Sequence, residues 1–118
     1  MLKFLIGQQV IEYAKKLQEK GAQNVLVSMG SEGAILLDKN GYSYTMKLSS
    51  KQQRINTVGA GDSMVAGFIA GYQTFHDYKK ALQMGVSAGT ATANSTFLAT
   101  KEEILQLFRE FTPYKERN

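Results

Sequence analysis

The 118-residue sequence predicts an α/β fold, and three observations carry that reading. A segment of helical period is followed by short β-branched runs. A hairpin signal separates two of those runs. Three amphipathic helical segments then close the chain. Elements in that order stack strands against helices in layers, rather than bundling helices alone.

Val10, Ile11, Ala14 and Leu17 recur at helical spacing, and Gly21 is placed to end that helix. Met1–Gly7 is apolar with one lysine and too short for a secretory signal. It is expected to be the remnant of a strand from a larger sheet, or non-native sequence. Asn24–Met29 (NVLVSM) and Gly33–Asp38 (GAILLD) read as buried strands. Asn40-Gly41 is a type I′ hairpin signal, after which Tyr42–Met46 returns as a third strand. Tyr42 and Tyr44 then sit on alternate positions as ordinary strand residues, and polar Ser49–Ile55 reads as a loop or edge crossing.

A helix is expected from Ala60 to about Gln73, with Val65, Phe68, Ile69 and Tyr72 as its inner stripe. A second runs from Asp77, its cap, to Asn94. Its face of Gly85, Ala88, Gly89 and Ala93 is small enough for close helix packing, or for a flat adenine to lie against. Thr100 and Glu103 form a capping box for a last helix with the stripe Ile104, Leu107, Phe108 and Phe111, and Pro113 stops it.

Composition excludes several chemistries. With no cysteine there are no disulfides, thiolate metal sites or cysteine nucleophiles, and a cytoplasmic setting is favoured. The one histidine, His76, lies at a helix boundary and reads as surface, so no His/Cys metal cluster is expected. The net charge of +4 is scattered, with Lys15-Lys16 and Lys79-Lys80 the only adjacent basic pairs. That pattern suits a solvated surface, or a mild bias toward phosphorylated metabolites, better than nucleic acid. No apolar run approaches the roughly 20 residues of a membrane span, so no membrane partner is expected.

The richest stretch is Asn56–Gly71, NTVGAGDSMVAGFIAG. Gly59-Ala60-Gly61-Asp62 puts two glycines and an acid at the start of an apolar helix. A helix start carries unpaired N–H groups and the positive end of the dipole, and glycine lets that backbone approach an anion. Asp62 would repel a phosphate bound there, so it needs another task. A general base fits: it takes the proton of a hydroxyl while the N–H groups hold the phosphoryl group under attack. A tight loop with a helix-capping acid would have the same spelling. The β-rich segment before it and the amphipathic helix after it favour the phosphate site. Neither a Walker loop nor GxGxxG is present. Ser28-Met29-Gly30-Ser31-Glu32-Gly33, just after a buried strand, could be a plain turn or the second of two glycine-rich turns flanking one nucleotide.

These residues resemble the ribokinase/PfkB carbohydrate kinases: NTVGAGD with its helix, VSMGSEGAILL before it, and VAGFIAGY, AGTATA and LAT after it. The similarity covers residues 8–111. Within that family it is greatest to the 1-phosphofructokinases, with tagatose-6-phosphate kinases as near relatives. The resemblance implies the C-terminal part of a ribokinase-like three-layer fold, with short strands and a hairpin followed by three helices. It implies ATP with Mg2+ on its phosphates, and the γ-phosphate facing Gly59, Ala60 and Gly61. Asp62 would deprotonate the sugar hydroxyl, and fructose 1-phosphate would become fructose 1,6-bisphosphate. Ser28, Gly30, Ser31, Glu32, Gly33 and Thr57 would contact the nucleotide, with Val86 and Thr90 beside the adenine.

Two departures from the family pattern stand out. Family members run to roughly 300 residues, so residues 1–118 correspond to one partial domain without the N-terminal sugar-binding part. The family's Asn-x-x-Glu motif has no match before Ser28. Asn56 replaces the Asp of many cation-dependent relatives, which puts potassium activation in question. The chain is expected to bind nucleotide weakly, to phosphorylate nothing efficiently alone, and to dimerise or associate through the face that truncation exposes. The rival readings are a nucleotide-binding or interaction module without kinase activity, and a tagatose-6-phosphate kinase fragment.

Overall fold

The structure, a computed structural model, describes residues 2–29, 33–47, 59–94, 99–110 and 112–117. Helix α1 (Leu2–Glu19) leads into strands β1 (Val25–Ser28), β2 (Ala34–Leu37) and β3 (Tyr42–Met46). Helices α2 (Ala60–Phe75), α3 (Tyr78–Ala93) and α4 (Lys101–Glu110) follow, and then strand β4 (Tyr114–Arg117).

The strands form one antiparallel sheet in the order β1-β2-β3-β4. Register places Leu26 opposite Leu36, and Leu36 opposite Tyr44. Side chains alternate across a sheet, so this row shares a face with Ala34 and Met46. That face packs on Met64 of α2 and on Leu82 and Val86 of α3. The opposite face packs Val25 and Leu37 on Ala14 of α1. The sheet is therefore covered on both sides. All four residues of β2 are buried, which is why GAILL carries no polar alternation.

Four expectations need correction. Residues 2–7 are not a strand: α1 continues through them, since Leu2, Lys3, Leu5, Gln8 and Gln9 are good helix formers and only Ile6 is β-branched. The hairpin is not type I′. Gly41 has φ 90, but Asn40 is not among the residues with positive φ. Instead Gly41 N–H donates to Asp38 O (3.2 Å) and Asp38 N–H to Tyr42 O (2.9 Å), a type I turn closed by a left-handed glycine. The Asp38 carboxylate selects it, accepting from the Asn40 and Tyr42 amides at 2.8 and 3.0 Å.

The inner stripe of α2 is half as expected: Phe68 packs on the core cluster and Tyr72 stacks on Tyr78, but Val65 and Ile69 do not face inward. Met64 and Gly71 are buried, whereas Val65 and Ile69 are 48% and 51% exposed. A helix approaches its neighbour most closely on its smallest face, and Gly67 and Gly71 supply that face. Finally, the chain ends in a strand. β4 pairs with β3, and the Lys115 ammonium lies 4.5 Å from the centroid of the Tyr42 ring, a cation–π contact.

The helix ends are as read. The Asp77 carboxylate accepts from the Lys80 amide at 3.0 Å. Thr100 and Glu103 close a reciprocal capping box at 2.9 and 3.2 Å. Exposed His76, left-handed at φ 51, ends α2 and donates its N–H to Tyr72 O. Of the expected stripe, Ile104, Leu107 and Phe108 turn α4 toward α3, with Leu107 buried, the Phe108 ring stacks on Phe75 of α2, and Phe111 lies outside the described residues.

Candidate functional site

Gly59 caps α2 in the left-handed conformation, φ 85, a geometry that disfavours any residue with a Cβ. The first helical bond runs from the Ser63 amide to Gly59 O at 2.9 Å. The amides of Ala60, Gly61 and Asp62 therefore precede the helical ladder and point out of its N-terminus. Asp62 is exposed in this first turn, at the positive end of the helix dipole.

The glycines of this region separate into two groups. A Cβ on Gly67 would lie 2.9 Å from Met84 O, on Gly85 2.8 Å from Met64 O, and on Gly89 3.0 Å from Ala60 O. Those glycines exist so that the backbones of α2 and α3 can touch. Gly61 is different. It lies in ordinary helix, with no positive φ, and no described atom lies within 4 Å of where its Cβ would be. Among the described residues neither packing nor backbone conformation requires a glycine there, and a glycine in a first turn leaves room for an anion at the N–H groups.

This turn is held from behind. Gly85 and Gly89 seat Met64 and Ala60, and the Thr92 hydroxyl donates to Ser63 Oγ at 3.0 Å. Neither Ser63 nor Thr92 emerged from the sequence. They lie 29 residues apart, each inside a stretch singled out for its neighbours, and only the facing of the two helices brings the hydroxyls together.

The second glycine-rich turn is less telling. Ser28 ends β1 in an exposed position, and Gly33 opens β2 at φ 101. A Cβ on Gly33 would fall 1.9 Å from Met46 O, so strand packing alone accounts for that glycine. Gly30, Ser31 and Glu32 lie outside the described residues, as do Asn56 and Thr57. Val86 is 3% exposed, inside the core cluster with Ala34, Met46 and Met64. Thr90, one turn further along α3, is partly exposed. The described part of the site is thus the first turn of α2 backed by the second half of α3, with β2 beneath Val86.

Residues 3–104 match the family described as pfkB family carbohydrate kinase. The chain belongs to that family. It is 41% identical over 103 residues to a 1-phosphofructokinase of Bacillus subtilis, covering 87% of this chain and 33% of the relative. A Staphylococcus aureus structure described as a phosphofructokinase superposes with a TM-score of 0.86 at 40% identity, over 92% of this chain and 35% of that one. An Arabidopsis thaliana ribokinase complexed with ribose and ATP superposes with a TM-score of 0.77 at 21% identity, over 86% of this chain and 34% of that one. The fold is therefore part of the ribokinase-like α/β architecture. The pfkB chain described here spans about a third of the length of these relatives. Among the described residues, no helix is long and apolar enough to cross a membrane.

Proposed function

We propose that residues 1–118 are a partial domain, the nucleotide-binding and catalytic-base part of a sugar-phosphate kinase. In the intact enzyme the reaction is transfer of the γ-phosphoryl group of ATP to a hydroxyl of fructose 1-phosphate, giving fructose 1,6-bisphosphate. The observation that carries this reading is Gly61: a helical glycine with no described atom within 4 Å of its Cβ position, beside exposed Asp62 and the amides that precede the helical ladder of the same turn. The similarity to a 1-phosphofructokinase supports the choice of acceptor.

The N–H groups of Gly59, Ala60 and Gly61 hold the γ-phosphoryl oxygens and stabilise the charge that develops on them. Asp62 accepts the proton of the acceptor hydroxyl, whose oxygen forms the new O–P bond as the bond to the ADP oxygen breaks. Among the described residues no cluster of His, Asp or Glu is placed to hold a metal ion. Mg2+ belongs in this reading on the nucleotide phosphates, where it would offset their repulsion of Asp62. Thr90 borders the adenine, with Val86 supporting it from the core. Ser28, Gly30, Ser31, Glu32, Gly33 and Thr57 are assigned contacts with the nucleotide.

The acceptor needs groups that the described site does not offer, so we assign the isolated chain weak nucleotide binding and no efficient turnover. The edge of β1, which has no second strand partner among the described residues, and exposed Val65 and Ile69 are the surfaces through which it meets a second copy or the remainder of an enzyme. Sedimentation at rising concentration separates self-association from a requirement for another chain.

Calorimetric titration with Mg-ATP tests the reading, with Asp62→Asn alongside. The expected result is saturable binding, equal or tighter in the variant, because removing a carboxylate removes repulsion. A folded chain that binds no Mg-ATP would overturn the nucleotide assignment and leave an interaction module. Robust phosphorylation of fructose 1-phosphate by the pure chain would overturn its dependence on a missing acceptor site.

A further inference from the structure

We propose that Thr92 is a positioning residue for the first turn of α2. The inference rests on the reading that this turn carries the base and the phosphoryl-binding amides.

Thr92 is 1% exposed, and its hydroxyl is used twice. It donates to Ser63 Oγ at 3.0 Å and accepts the Ala99 amide at 3.3 Å. Ser63 directly follows Asp62, and its own amide makes the first helical bond, to Gly59 O. One hydroxyl therefore ties together the base-bearing turn, the last turn of α3, and the residue just before the Thr100 capping box of α4.

The neighbouring contacts do a different job. Gly85 under Met64 O and Gly89 under Ala60 O set how closely the two helices approach. Such contacts are non-directional, and they leave the first turn free to slide or rotate by a fraction of an ångström. A hydrogen bond restricts direction as well as distance. A hydroxyl suits the task because it both donates and accepts, so one oxygen serves Ser63 and Ala99 at once. Small displacements matter here, since catalytic groups act within about half an ångström of their productive geometry.

The test compares the wild-type chain with Thr92→Val, Thr92→Ser and Ser63→Ala. Two quantities are read: amide hydrogen exchange at Ser63, Met64 and Ala99 against exchange in β2 and β3, and Mg-ATP affinity. Thr92→Val keeps the shape and removes the hydroxyl. It should speed exchange at Ser63, Met64 and Ala99 by about fivefold, the scale of one net hydrogen bond, with β2 and β3 unchanged, and it should weaken Mg-ATP binding by a similar factor. Thr92→Ser should restore both. Ser63→Ala should repeat the effect at Ser63 and Met64 while leaving Ala99 unchanged, and it reports on the link if the valine variant does not fold. Unchanged exchange in the first turn, a uniform rise across the whole chain, or failure of serine to rescue would each reduce Thr92 to a packing residue. Should the wild-type chain bind no Mg-ATP, the kinase reading fails on that arm, while the exchange arm still decides whether Thr92 fixes the turn.

Discussion

Replacing Gly61 and Gly89 by alanine, one at a time, should move stability in opposite directions although the two substitutions are chemically identical. Both residues are helical and neither has positive φ. Glycine to alanine in a helix interior gains up to about 1 kcal/mol, and less in a first turn. At Gly61 nothing opposes the gain, since no described atom lies within 4 Å of the new Cβ. At Gly89 the Cβ arrives 3.0 Å from Ala60 O and 3.2 Å from Met64 Cβ. A backbone carbonyl cannot rotate away, so α2 must move as a body by a few tenths of an ångström. Overpacking of that kind costs about 1–3 kcal/mol. Setting the propensity gain against it leaves Gly89→Ala destabilised by about 1 kcal/mol, a fall in Tm of about 4 °C for a domain of this size. Urea denaturation followed by circular dichroism reads both values. Mg-ATP titration supplies the second half: Gly61→Ala should keep or gain stability and lose nucleotide affinity, because its Cβ occupies the space an anion needs. Equal destabilisation by the two substitutions would refute the reasoning, since Gly61 would then serve the fold and no longer point to a ligand.

Gly33→Ala should cost about 3 kcal/mol or more, or prevent folding, because it forces a Cβ against Met46 O at a φ of 101; thermal denaturation checks it. Asp77→Ala should cost about 1 kcal/mol by removing the acceptor for the Lys80 amide, while Asp77→Asn should keep most of the loss away. Burial, and then the hydrogen bond to Asp38, push the Tyr44 phenol well above its usual pKa, which is near 10. A raised pKa means the folded chain holds the proton more tightly. The stabilisation is complete below about pH 10 and is lost as pH rises beyond it. Tyr44→Phe should therefore lower stability at neutral pH but flatten its decline above pH 10, which urea titrations at stepped pH would reveal; parallel curves for the two proteins would remove Tyr44 from that role.

What the sequence disclosed, and what it withheld, divides along the range of the interactions. Asp77, Thr100 and Glu103 were readable because a cap is settled within three residues. β2 and β3 were readable because both belong to one hairpin. The turn type between them was not, since it depends on the Asp38 carboxylate reaching two amides and the Tyr44 hydroxyl. β4 was invisible: YKER has no period, and it is held by pairing with β3 and by Lys115 over two tyrosine rings. Phe68 and Tyr72 of the α2 stripe were read correctly, but Val65 and Ile69 were not, because hydrophobicity points to them while contact with α3 is decided by the absence of side chains at Gly67 and Gly71. In the site, Gly59-Ala60-Gly61-Asp62 was legible as a local motif. Its support by Thr92 was not, because two hydroxyls become partners only once the helices have paired.

The way the site is built separates the two halves of the proposed reaction. α2 and α3 are consecutive, joined by a turn at His76-Asp77, so the packing that shapes the first turn of α2 is local in sequence. The sheet beneath them is formed by hairpins, again local except for β4. The Cα radius of gyration is 13.6 Å, against about 13.5 Å expected for an independent domain of this length. A chain that spans a third of its relatives nevertheless has the compactness and the two-sided core of a folding unit. The amides proposed to bind the phosphoryl group should therefore be formed before any partner arrives. The acceptor side is different, because Asp62 is exposed and no described group stands opposite it to hold a sugar phosphate. Adding whatever covers the β1 edge should change turnover far more than it changes Mg-ATP affinity. If nucleotide affinity instead rises in step with turnover, the first turn of α2 is not preorganised within this chain, and the support supplied by Gly85, Gly89 and Thr92 is insufficient to hold it.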